Sequence, residues 1–321
     1  MVSFLKQQLS AQHSKKDATS MIEHTLATVA MQVTFDKEQN LARYLHYMDR
    51  AAEIGAHLLV LPEQSLQGYL HNIAELHMET LTHQHTNAEP IPGGPSTQLL
   101  MREAQKRHLY LIWGMTEVDP EQGPDVLYNT AVLVGPEGYI GKYRKVHQPL
   151  DELHIYWPGN DWPIFETELG RIGLLICYDK QFPEATRELT LRGAHLLVMP
   201  TAWALTCIGG DPNPEKDYQS YLYDLFDFTR AAENQLWFIS SNQYGRAGDH
   251  DYLGRSRIVA PTGLTVAEVL YEEGMASARV DIMGGIVRGR TTESLGYNAM
   301  RDRRPETYTT ITAARAPRVR R

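Results

Sequence analysis

The stretch RIGLLICYDKQFPEATREL (residues 171–189) passes directly from an apolar run into a segment with helical spacing. Its first part is rich in aliphatic residues, as is typical of a strand buried on both faces. Pro183 suits the first turn of the following helix, because a helix start leaves the N–H at that position unpaired anyway. Cys177 is therefore predicted at a strand-to-helix turn, where a thiol can reach the edge of a sheet beside a helix N-terminus.

Six other apolar runs have the same character, and each predicts a further strand: residues 25–33, 57–63, 108–118, 128–136, 195–203 and 236–245. Segments with helical spacing lie between several of these runs. The clearest predicted helix covers residues 36–55, and its buried face is expected to carry Leu41, Leu45, Met48 and Ala52. Strands that alternate with helices along a chain indicate an α/β layered fold.

No linker rich in glycine, proline or serine divides the 321 residues, so one domain is predicted. Residues 1–23 are polar and lack periodicity, which predicts an N-terminal extension outside the core. The domain itself is expected over residues 24–285. Residues 286–321 form a C-terminal tail rich in arginine, which we expect to be solvated or packed on a neighbouring subunit.

The charge balance argues against some classes of function. With 31 Lys and Arg against 39 Asp and Glu, the formal net charge of −8 disfavours binding to nucleic acid. The first residues lack the long apolar region of a signal peptide, and no stretch approaches the about 18 apolar residues of a membrane span. We therefore expect a cytoplasmic protein without a nucleic-acid or membrane partner.

The chain has two cysteines, Cys177 and Cys207, which are too few for a disulfide framework. One of them is a candidate for thiol chemistry. Cys207 follows no predicted strand, so it is interpreted as a bystander. Cys177 at its strand end is the candidate nucleophile.

Two other strand ends carry groups that suit the same chemistry. Glu63 ends the run 57–63, where partial desolvation can raise a carboxyl pKa toward the range useful for proton transfer. Lys145 is the last of three cations in GKYRK (residues 141–145). Each of the three residues alone has an ordinary interpretation. Cys177 would be a small buried thiol, Glu63 the first residue of a loop, and Lys145 a solvated surface charge. Together with Cys177 they supply a base, a cation and a nucleophile, as acyl transfer through a covalent intermediate requires.

No metal or cofactor is expected. His83 and His85 lie in a polar stretch, THQHT, which is interpreted as a surface loop rather than a ligand pair. The segment GPEGYIGKY (residues 135–143) lacks the glycine and lysine spacing of a phosphate-binding loop.

Four blocks of the sequence resemble, in order, the nitrilase superfamily of carbon–nitrogen hydrolases. They are LVLPE (59–63) with Gly68 and Tyr69 following, YNTAVLVGPEGYIGKYRKVH (128–147), GLLICYDKQFPEATREL (173–189) and DYLGRSRIVAPTG (251–263). The resemblance runs from about residue 25 to about residue 285. It implies a four-layer α-β-β-α sandwich, a soluble enzyme without a cofactor, and assembly as a dimer or larger homo-oligomer.

The resemblance also implies roles for individual residues. Glu63, Lys145 and Cys177 correspond to the catalytic Glu-Lys-Cys set of the family, and the second family glutamate, seven residues after the lysine, falls on Glu152. Glu63 would take the Cys177 proton, and Lys145 with the backbone N–H of Tyr178 would hold the oxyanion. Glu152 would position the substrate nitrogen and orient Lys145.

The residues around the nucleophile indicate a branch of the family. Nitrile-cleaving members usually read Cys-Trp-Glu, whereas this chain reads Cys177-Tyr178-Asp179, similar to amidases and N-carbamoyl hydrolases. Members that bind a substrate carboxylate tend to carry arginine at the position of Gln181. An uncharged amide cannot neutralise a carboxylate, so a neutral or cationic substrate is favoured. Lys180 or Arg255 could supply the missing cation instead.

Other residues are expected to shape the substrate pocket. Tyr69 and Trp203 are placed there by the resemblance, while Tyr218, Tyr221 and Tyr223 are either pocket walls or ordinary helix packing. The predicted function is hydrolysis of a small linear amide or N-carbamoyl compound through a Cys177 thioester. The alternatives are an N-carbamoyl hydrolase releasing carbon dioxide and ammonia, a nitrilase, an acyltransferase, or a non-catalytic scaffold.

Overall fold

Two β-sheets pack face to face in the computed structural model, which describes residues 22–70, 78–206, 209–311 and 313. The strands are β1 (Glu23–Gln32), β2 (Leu58–Val60), β3 (Tyr110–Val118), β4 (Leu127–Gly135), β5 (Gly138–Arg144), β6 (Ile164–Thr167), β7 (Gly170–Leu174), β8 (Leu196–Thr201), β9 (Trp237–Ala247), β10 (His250–Leu253), β11 (Arg257–Val259), β12 (Thr265–Glu268) and β13 (Gly274–Asp281). Each of the seven apolar runs overlaps one of these strands.

The helices lie outside the two sheets. They are α1 (Lys37–Glu53), α2 (Met78–Asn87), α3 (Pro95–Lys106), α4 (Pro183–Leu191), α5 (Tyr218–Asn234), α6 (Ile282–Arg290) and α7 (Ala299–Asp302), with short 3-10 turns at Leu150–His154, Cys177–Gln181 and Pro305–Thr307. Among the described residues, no helix combines the length and apolar composition that crossing a bilayer requires.

The strand order joins the two sheets through β1 and β9. The first sheet runs β5-β4-β3-β2-β1 with β13 beside β1, and the second runs β6-β7-β8-β9 with β11 and β12 beyond β9. Strands β1, β2 and β3 are parallel, as are β7, β8 and β9. A short parallel pairing of Met31 with Gln243 and Gln32 with Tyr244 connects the sheets. The carboxyl ends of both parallel sets therefore meet at one region.

Alternate residues of the first sheet face different layers, because successive side chains of a strand point to opposite sides. Leu58, Val60 and Ile112 belong to the core that also contains the second sheet and helices α4 and α5. Their neighbours Leu59 and Leu111 belong to the core under α1 and α3. This arrangement is the α-β-β-α sandwich that the sequence predicted.

Buried hydroxyl groups form hydrogen bonds across the junction of the two sheets. Ser241 Oγ lies 2.7 Å from the carbonyl oxygen of Val29 and 3.0 Å from that of Val60. Thr28 Oγ1 donates to the carbonyl oxygen of Ser240 at 2.7 Å. These bonds link β9 to β1 and β2.

Helix α1 turns most of the predicted face toward the core: Met48 is buried, and Leu41 and Leu45 are partly buried against the same cluster. Of the four predicted residues, Ala52 is exposed, and the buried face also contains Tyr44, Tyr47 and Ala51. Tyrosine suits such a position because its ring is apolar and its hydroxyl needs only one partner. Tyr44 finds that partner in a buried hydroxyl, Ser65 Oγ, at 2.6 Å.

The prediction of a loop around His83 and His85 was also wrong, since both residues lie in helix α2. Thr80 and Gln84 form the buried face of this helix, so its amphipathic pattern is carried by polar residues and is faint in the sequence. His83 Nε2 lies 2.7 Å from the carbonyl oxygen of Gln67.

The chain ends partly lie outside the described residues. Residues 1–21 of the expected extension and Cys207 are not among them, and β1 already begins at Glu23. The expected boundary between domain and tail at residue 285 falls inside α6. The described part of the tail packs on α5 of the same chain, where Gln235 Nε2 donates to the carbonyl oxygen of Tyr297 at 2.9 Å.

Candidate active site

Three strand ends bring the predicted reactive groups to one place. Glu63 follows β2 and Lys145 follows β5, both in the first sheet, whereas Cys177 follows β7 in the second. The Lys145 ammonium lies 2.7 Å from Glu63 Oε1 and 2.6 Å from Glu152 Oε1. All three of these charged side chains are fully buried. The cation therefore sits between two carboxylates in the interior.

Glu63 is held by donors on both carboxylate oxygens. Oε1 accepts the Lys145 bond and a second from Asn129 Nδ2 at 2.7 Å, and Oε2 accepts the backbone N–H of Ala202 at 2.8 Å. Gln243 Nε2 also donates to the main-chain carbonyl of Glu63 at 2.9 Å. Charge-assisted bonds of this kind fix the position of a carboxylate.

Lys145 keeps its proton in this environment. Burial disfavours its charge, but the Glu152 and Glu63 carboxylates outweigh burial and raise the pKa of Lys145 above its usual value. Glu152 has its pKa raised by burial, against the opposing effect of Lys145. Tyr69 donates its hydroxyl to Glu152 Oε1. The cluster thus holds a permanent ammonium oriented by two carboxylates.

Cys177 occupies a strained turn at the start of the Cys177–Gln181 3-10 segment. Its φ of 45° lies in the left-handed region that residues with a Cβ seldom adopt, and its side chain is 7% exposed. Burial raises the pKa of the Cys177 thiol to about 12; Glu63 adds to the rise and Lys145 opposes it. The free enzyme therefore holds a protonated thiol, which needs a base before it can attack.

The turn is tied down by Asp179, which the sequence analysis noted only as part of the branch motif. Its Oδ2 accepts the Tyr143 hydroxyl at 2.7 Å and the backbone N–H of Ile176 at 3.0 Å. Its Oδ1 lies 2.8 Å from His147 Nδ1 and accepts the backbone N–H of His147 at 3.0 Å. Tyr143 and His147 come from β5 and the loop after it, so Asp179 anchors the nucleophile turn to the first sheet.

Asn129 is a site residue that the sequence analysis missed. Its Nδ2 lies 2.7 Å from Glu63 Oε1 and 3.3 Å from Glu152 Oε2, so one amide bridges both carboxylates. The available signal was an amide at a buried position of the apolar run 128–136. A buried polar side chain in such a strand requires a partner, and that requirement could have drawn attention to it.

The residues predicted for the substrate pocket have different surroundings. Trp203 is 6% exposed, and its backbone N–H donates to Asn242 Oδ1 at 2.7 Å. Tyr178 is half-buried with its ring edge-on to Phe182. The carbonyl oxygen of Gln181 accepts Arg230 Nη2 at 3.2 Å.

The three tyrosines of helix α5 whose role was left open differ in their exposure to solvent. Tyr218 and Tyr221 are exposed, whereas Tyr223 is buried beside Trp203, with the ring centroids 6.1 Å apart. Tyr223 alone thus contacts a residue of the expected pocket. Within the described part of the chain, no group of three or more His, Cys, Asp or Glu side chains is arranged to hold a metal ion.

Comparisons with known proteins identify the family of the chain. The carbon-nitrogen hydrolase family model matches residues 25–284. A nitrilase of Pyrococcus abyssi is 31% identical over 279 residues, covering 85% of this chain and 94% of the relative. The human ω-amidase NIT2 is 31% identical over 274 residues, covering 82% of this chain and 90% of the relative.

Solved structures show the same fold. Nit3 of Saccharomyces cerevisiae superposes with a TM-score of 0.72 at 25% identity, covering 87% of this chain and 97% of that structure. A mutant of the Nesterenkonia AN1 amidase gives a TM-score of 0.68 at 25% identity, covering 92% and 99%. The chain therefore belongs to the carbon–nitrogen hydrolase family of the nitrilase superfamily and is a hydrolase of non-peptide C–N bonds.

Proposed function

We propose that this protein is an amidohydrolase that cleaves the C–N bond of a small linear amide or N-carbamoyl compound through a thioester on Cys177. The observation that carries the proposal is the Lys145 ammonium, held 2.7 Å and 2.6 Å from two buried carboxylates. Cys177 lies within electrostatic range of both Glu63 and Lys145. A base, a fixed cation and a thiol then serve one substrate carbonyl.

Acylation begins with proton transfer from the Cys177 thiol to Glu63. The sulfur attacks the carbonyl carbon, and the carbonyl electrons move to oxygen. Lys145 and the backbone N–H of Tyr178 stabilise that oxyanion, a contribution of about 3 kcal/mol for a donor in such a site. When the tetrahedral intermediate collapses, Glu63 returns its proton to the leaving nitrogen and ammonia or an amine departs.

Deacylation uses the same groups in reverse order. Glu63 removes a proton from water, which attacks the thioester carbon, and the oxyanion again forms beside Lys145. Collapse of this second intermediate expels the Cys177 sulfur, which recovers a proton from Glu63. The products are a carboxylic acid from an amide, or a carbamic acid that breaks down to carbon dioxide from an N-carbamoyl compound.

The charges around the turn support a substrate without a free carboxylate. Gln181 is uncharged, and the two cations that could replace an arginine there are already paired. Lys180 Nζ lies 2.8 Å from Asp227 Oδ1, and Arg255 Nη2 lies 3.0 Å from Asp224 Oδ2. A carboxylate bound there would meet ion pairs whose net charge is close to zero.

The comparisons bear on the choice between reactions. Similar proteins include an ω-amidase and an amidase on one side and a nitrilase on the other. The sequence Cys177-Tyr178-Asp179 favours the amide reaction, and N-carbamoyl hydrolysis is the second candidate because the same thioester chemistry serves both. Nitrile hydrolysis and acyl transfer remain less favoured alternatives.

The experiment is a panel of neutral amides, ω-amido acids, N-carbamoyl compounds and nitriles, with ammonia release measured for each. We expect release from small neutral amides. Mass spectrometry of the quenched enzyme should show an acyl group on Cys177, and Cys177→Ala should carry none. An enzyme that turns over only nitriles, or that turns over amides without ever acylating Cys177, would refute the proposal.

We also propose that the chain forms a homo-oligomer through α4 and α5, and that it works in the cytoplasm. Tyr218, Tyr221 and Leu225 are exposed and share one face of α5, and Leu191 is exposed at the end of α4. Light scattering after size exclusion is expected to give at least twice the 36.4 kDa of one chain. Leu225→Glu with Tyr221→Glu should shift the mass toward one chain, and a wild-type monomer would contradict the proposal.

A further inference from the structure

Lys180 is a buried ammonium that the proposed mechanism does not use. It lies three residues after Cys177 in the nucleophile turn, and its side chain is fully buried. Its Nζ lies 2.8 Å from Asp227 Oδ1 and donates to the carbonyl oxygen of Tyr223 at 3.3 Å. Both partners belong to α5. A buried charge is retained only with such partners, so the position of Lys180 is fixed.

Two aromatic rings also contact the ammonium. Lys180 Nζ lies 3.4 Å from the ring centroid of Tyr223 and 4.6 Å from that of Trp203, both within the range of a cation–π contact. Desolvation strengthens this contact, and all three residues are buried. One cation thus faces both rings at once.

The indole N–H of Trp203 does not fix the orientation of its ring. Its indole Nε1 is buried without a hydrogen-bond acceptor among the residues that the structure describes. Tyr223 and Phe226 meet it with their rings inclined, at centroid distances of 6.1 Å and 6.3 Å. The orientation of the ring therefore depends on its face, where Lys180 lies, rather than on its N–H.

Trp203 is connected to the reactive groups through the preceding residue, Ala202. The backbone N–H of Ala202 donates to Glu63 Oε2 at 2.8 Å, and the Ala202 backbone also interacts with the Cys177 thiol. A shift of Trp203 would therefore act on a segment that contacts both groups.

The charge of Lys180 is balanced within the protein. Asp227 Oδ2 accepts Ser240 Oγ at 2.7 Å and lies 3.9 Å from Arg257 Nε, while Arg257 Nη2 pairs with Asp224 at 2.6 Å. Because of these pairs, Lys180 is not an unpaired cation for a substrate anion. Its remaining contacts are the aromatic faces.

We propose that Lys180 is a positioning residue that holds the Trp203 indole as a wall of the acyl pocket and thereby sets which acyl groups the enzyme accepts. The part that concerns acyl groups rests on the proposed amidohydrolase function. The part that concerns the indole does not, so the two can fail separately.

The proposal includes a pH dependence. Burial lowers the pKa of Lys180 to about 8, while Asp227 and Cys177 oppose this shift and Arg257 adds to it. The groups that face Lys180 are Asp227 and Tyr223 from α5, Arg257 from β11, Trp203 after β8 and Cys177 in its own turn. As pH rises through about 8, Lys180 loses its proton and the cation–π contacts weaken.

The first test observes the indole without any substrate. Fluorine NMR of protein labelled with 5-fluorotryptophan reports on the five tryptophans, and Trp203→Phe identifies the Trp203 signal. We expect that signal to shift with a midpoint near pH 8 in the wild type and to be displaced and pH-independent in Lys180→Met. A Trp203 signal that does not move with pH in the wild type would overturn the proposal, even if Lys180→Met did not fold.

The second test uses amides of increasing acyl size. Lys180→Met is expected to raise KM for the larger acyl groups and to lower their kcat/KM by about tenfold, as loss of a desolvated cation–π contact implies, with a smaller effect on acetamide. Lys180→Arg, which keeps a cation, should recover part of the loss. Lys106→Met, which removes an exposed ion-paired lysine from α3, should match the wild type.

The outcomes separate the two proposals. If the wild type hydrolyses no amide but the Trp203 signal responds to Lys180, the amidohydrolase function fails and the positioning role stands. If amides are hydrolysed and Lys180→Met changes all acyl sizes equally with the Trp203 signal unmoved, the positioning role is wrong.

Discussion

Replacing Glu63, the proposed base, by glutamine is expected to lower kcat/KM for amides by about 10³- to 10⁴-fold, because glutamine cannot accept the Cys177 proton. The thiol pKa of about 12 leaves almost no thiolate at neutral pH without that base. Glutamine has the shape of glutamate but cannot serve as a base. Lys145, Asn129 and the Ala202 N–H all donate to Glu63. The amide N–H₂ of the substituted glutamine would therefore face another donor in either orientation of the side chain.

Two measurements check this result. Steady-state rates give kcat/KM, and alkylation of Cys177 by iodoacetamide gives the reactivity of the thiol independently of any amide substrate. Both should fall in Glu63→Gln. The matched control is Glu89→Gln, since Glu89 is another buried carboxylate paired with a lysine, Lys37, at 2.9 Å. Equal alkylation rates in Glu63→Gln and the wild type would show that Glu63 is not the base.

Replacing Lys145 by methionine is expected to reduce both stability and activity. Methionine fills the volume but leaves Glu63 and Glu152 buried without their common cation, and breaking a buried pair in this way costs about 3–5 kcal/mol. Loss of the oxyanion donor lowers kcat by a further factor of about 10²–10³ in the fraction that folds. Urea denaturation and steady-state kinetics measure the two effects separately.

The stability loss in Lys145→Met should depend on pH. Without the ammonium, the pKa of the buried Glu152 carboxyl rises further above its unfolded value, so the folded state keeps a proton that the unfolded chain releases. The free energy of unfolding therefore falls as pH increases above about 4.3, the pKa of an ordinary glutamate, and the fall should be steeper than in the wild type.

A double variant distinguishes charge repulsion from lost packing. Lys145→Met with Glu152→Gln removes one of the two carboxylates and should recover part of the stability, but none of the activity. If the double variant is as unstable as Lys145→Met at every pH, the buried charges are not the cause. The exposed ion pair of Lys106 with Glu103 offers a control, because its loss changes stability by only about 0.5 kcal/mol.

The positions of Glu63 and Cys177 could be predicted because each lies at the end of an apolar run, and parallel strands carry their following residues to one edge of a sheet. Lys145 follows β5, which none of the apolar runs covers, so its place in the site came from the resemblance to the family. The helix after Cys177 could be predicted from Pro183, which takes its first position. These inferences need only local pattern and strand direction. The α/β layers follow from the same alternation.

The supporting residues depend on contacts between segments far apart in the sequence. Asn129 bridges Glu63 and Glu152 only because β4 lies near the end of β2, and Asp227 meets Lys180 only because α5 packs on the nucleophile turn. No spacing rule relates such pairs. The burial of Tyr44 and Tyr47 in α1 was missed for a different reason, since tyrosine is apolar or polar according to whether its hydroxyl finds a partner.

Because the reactive groups come from two different sheets, the activity of the enzyme depends on the interface between those sheets. The proposed base and cation belong to one half of the sandwich and the proposed nucleophile to the other, so neither half can act alone. In the proposed mechanism every step requires groups from both halves. The rate of catalysis therefore depends on how the two halves are packed together. A substitution that widens this interface by a fraction of an ångström would abolish activity, although the helices and strands would remain intact.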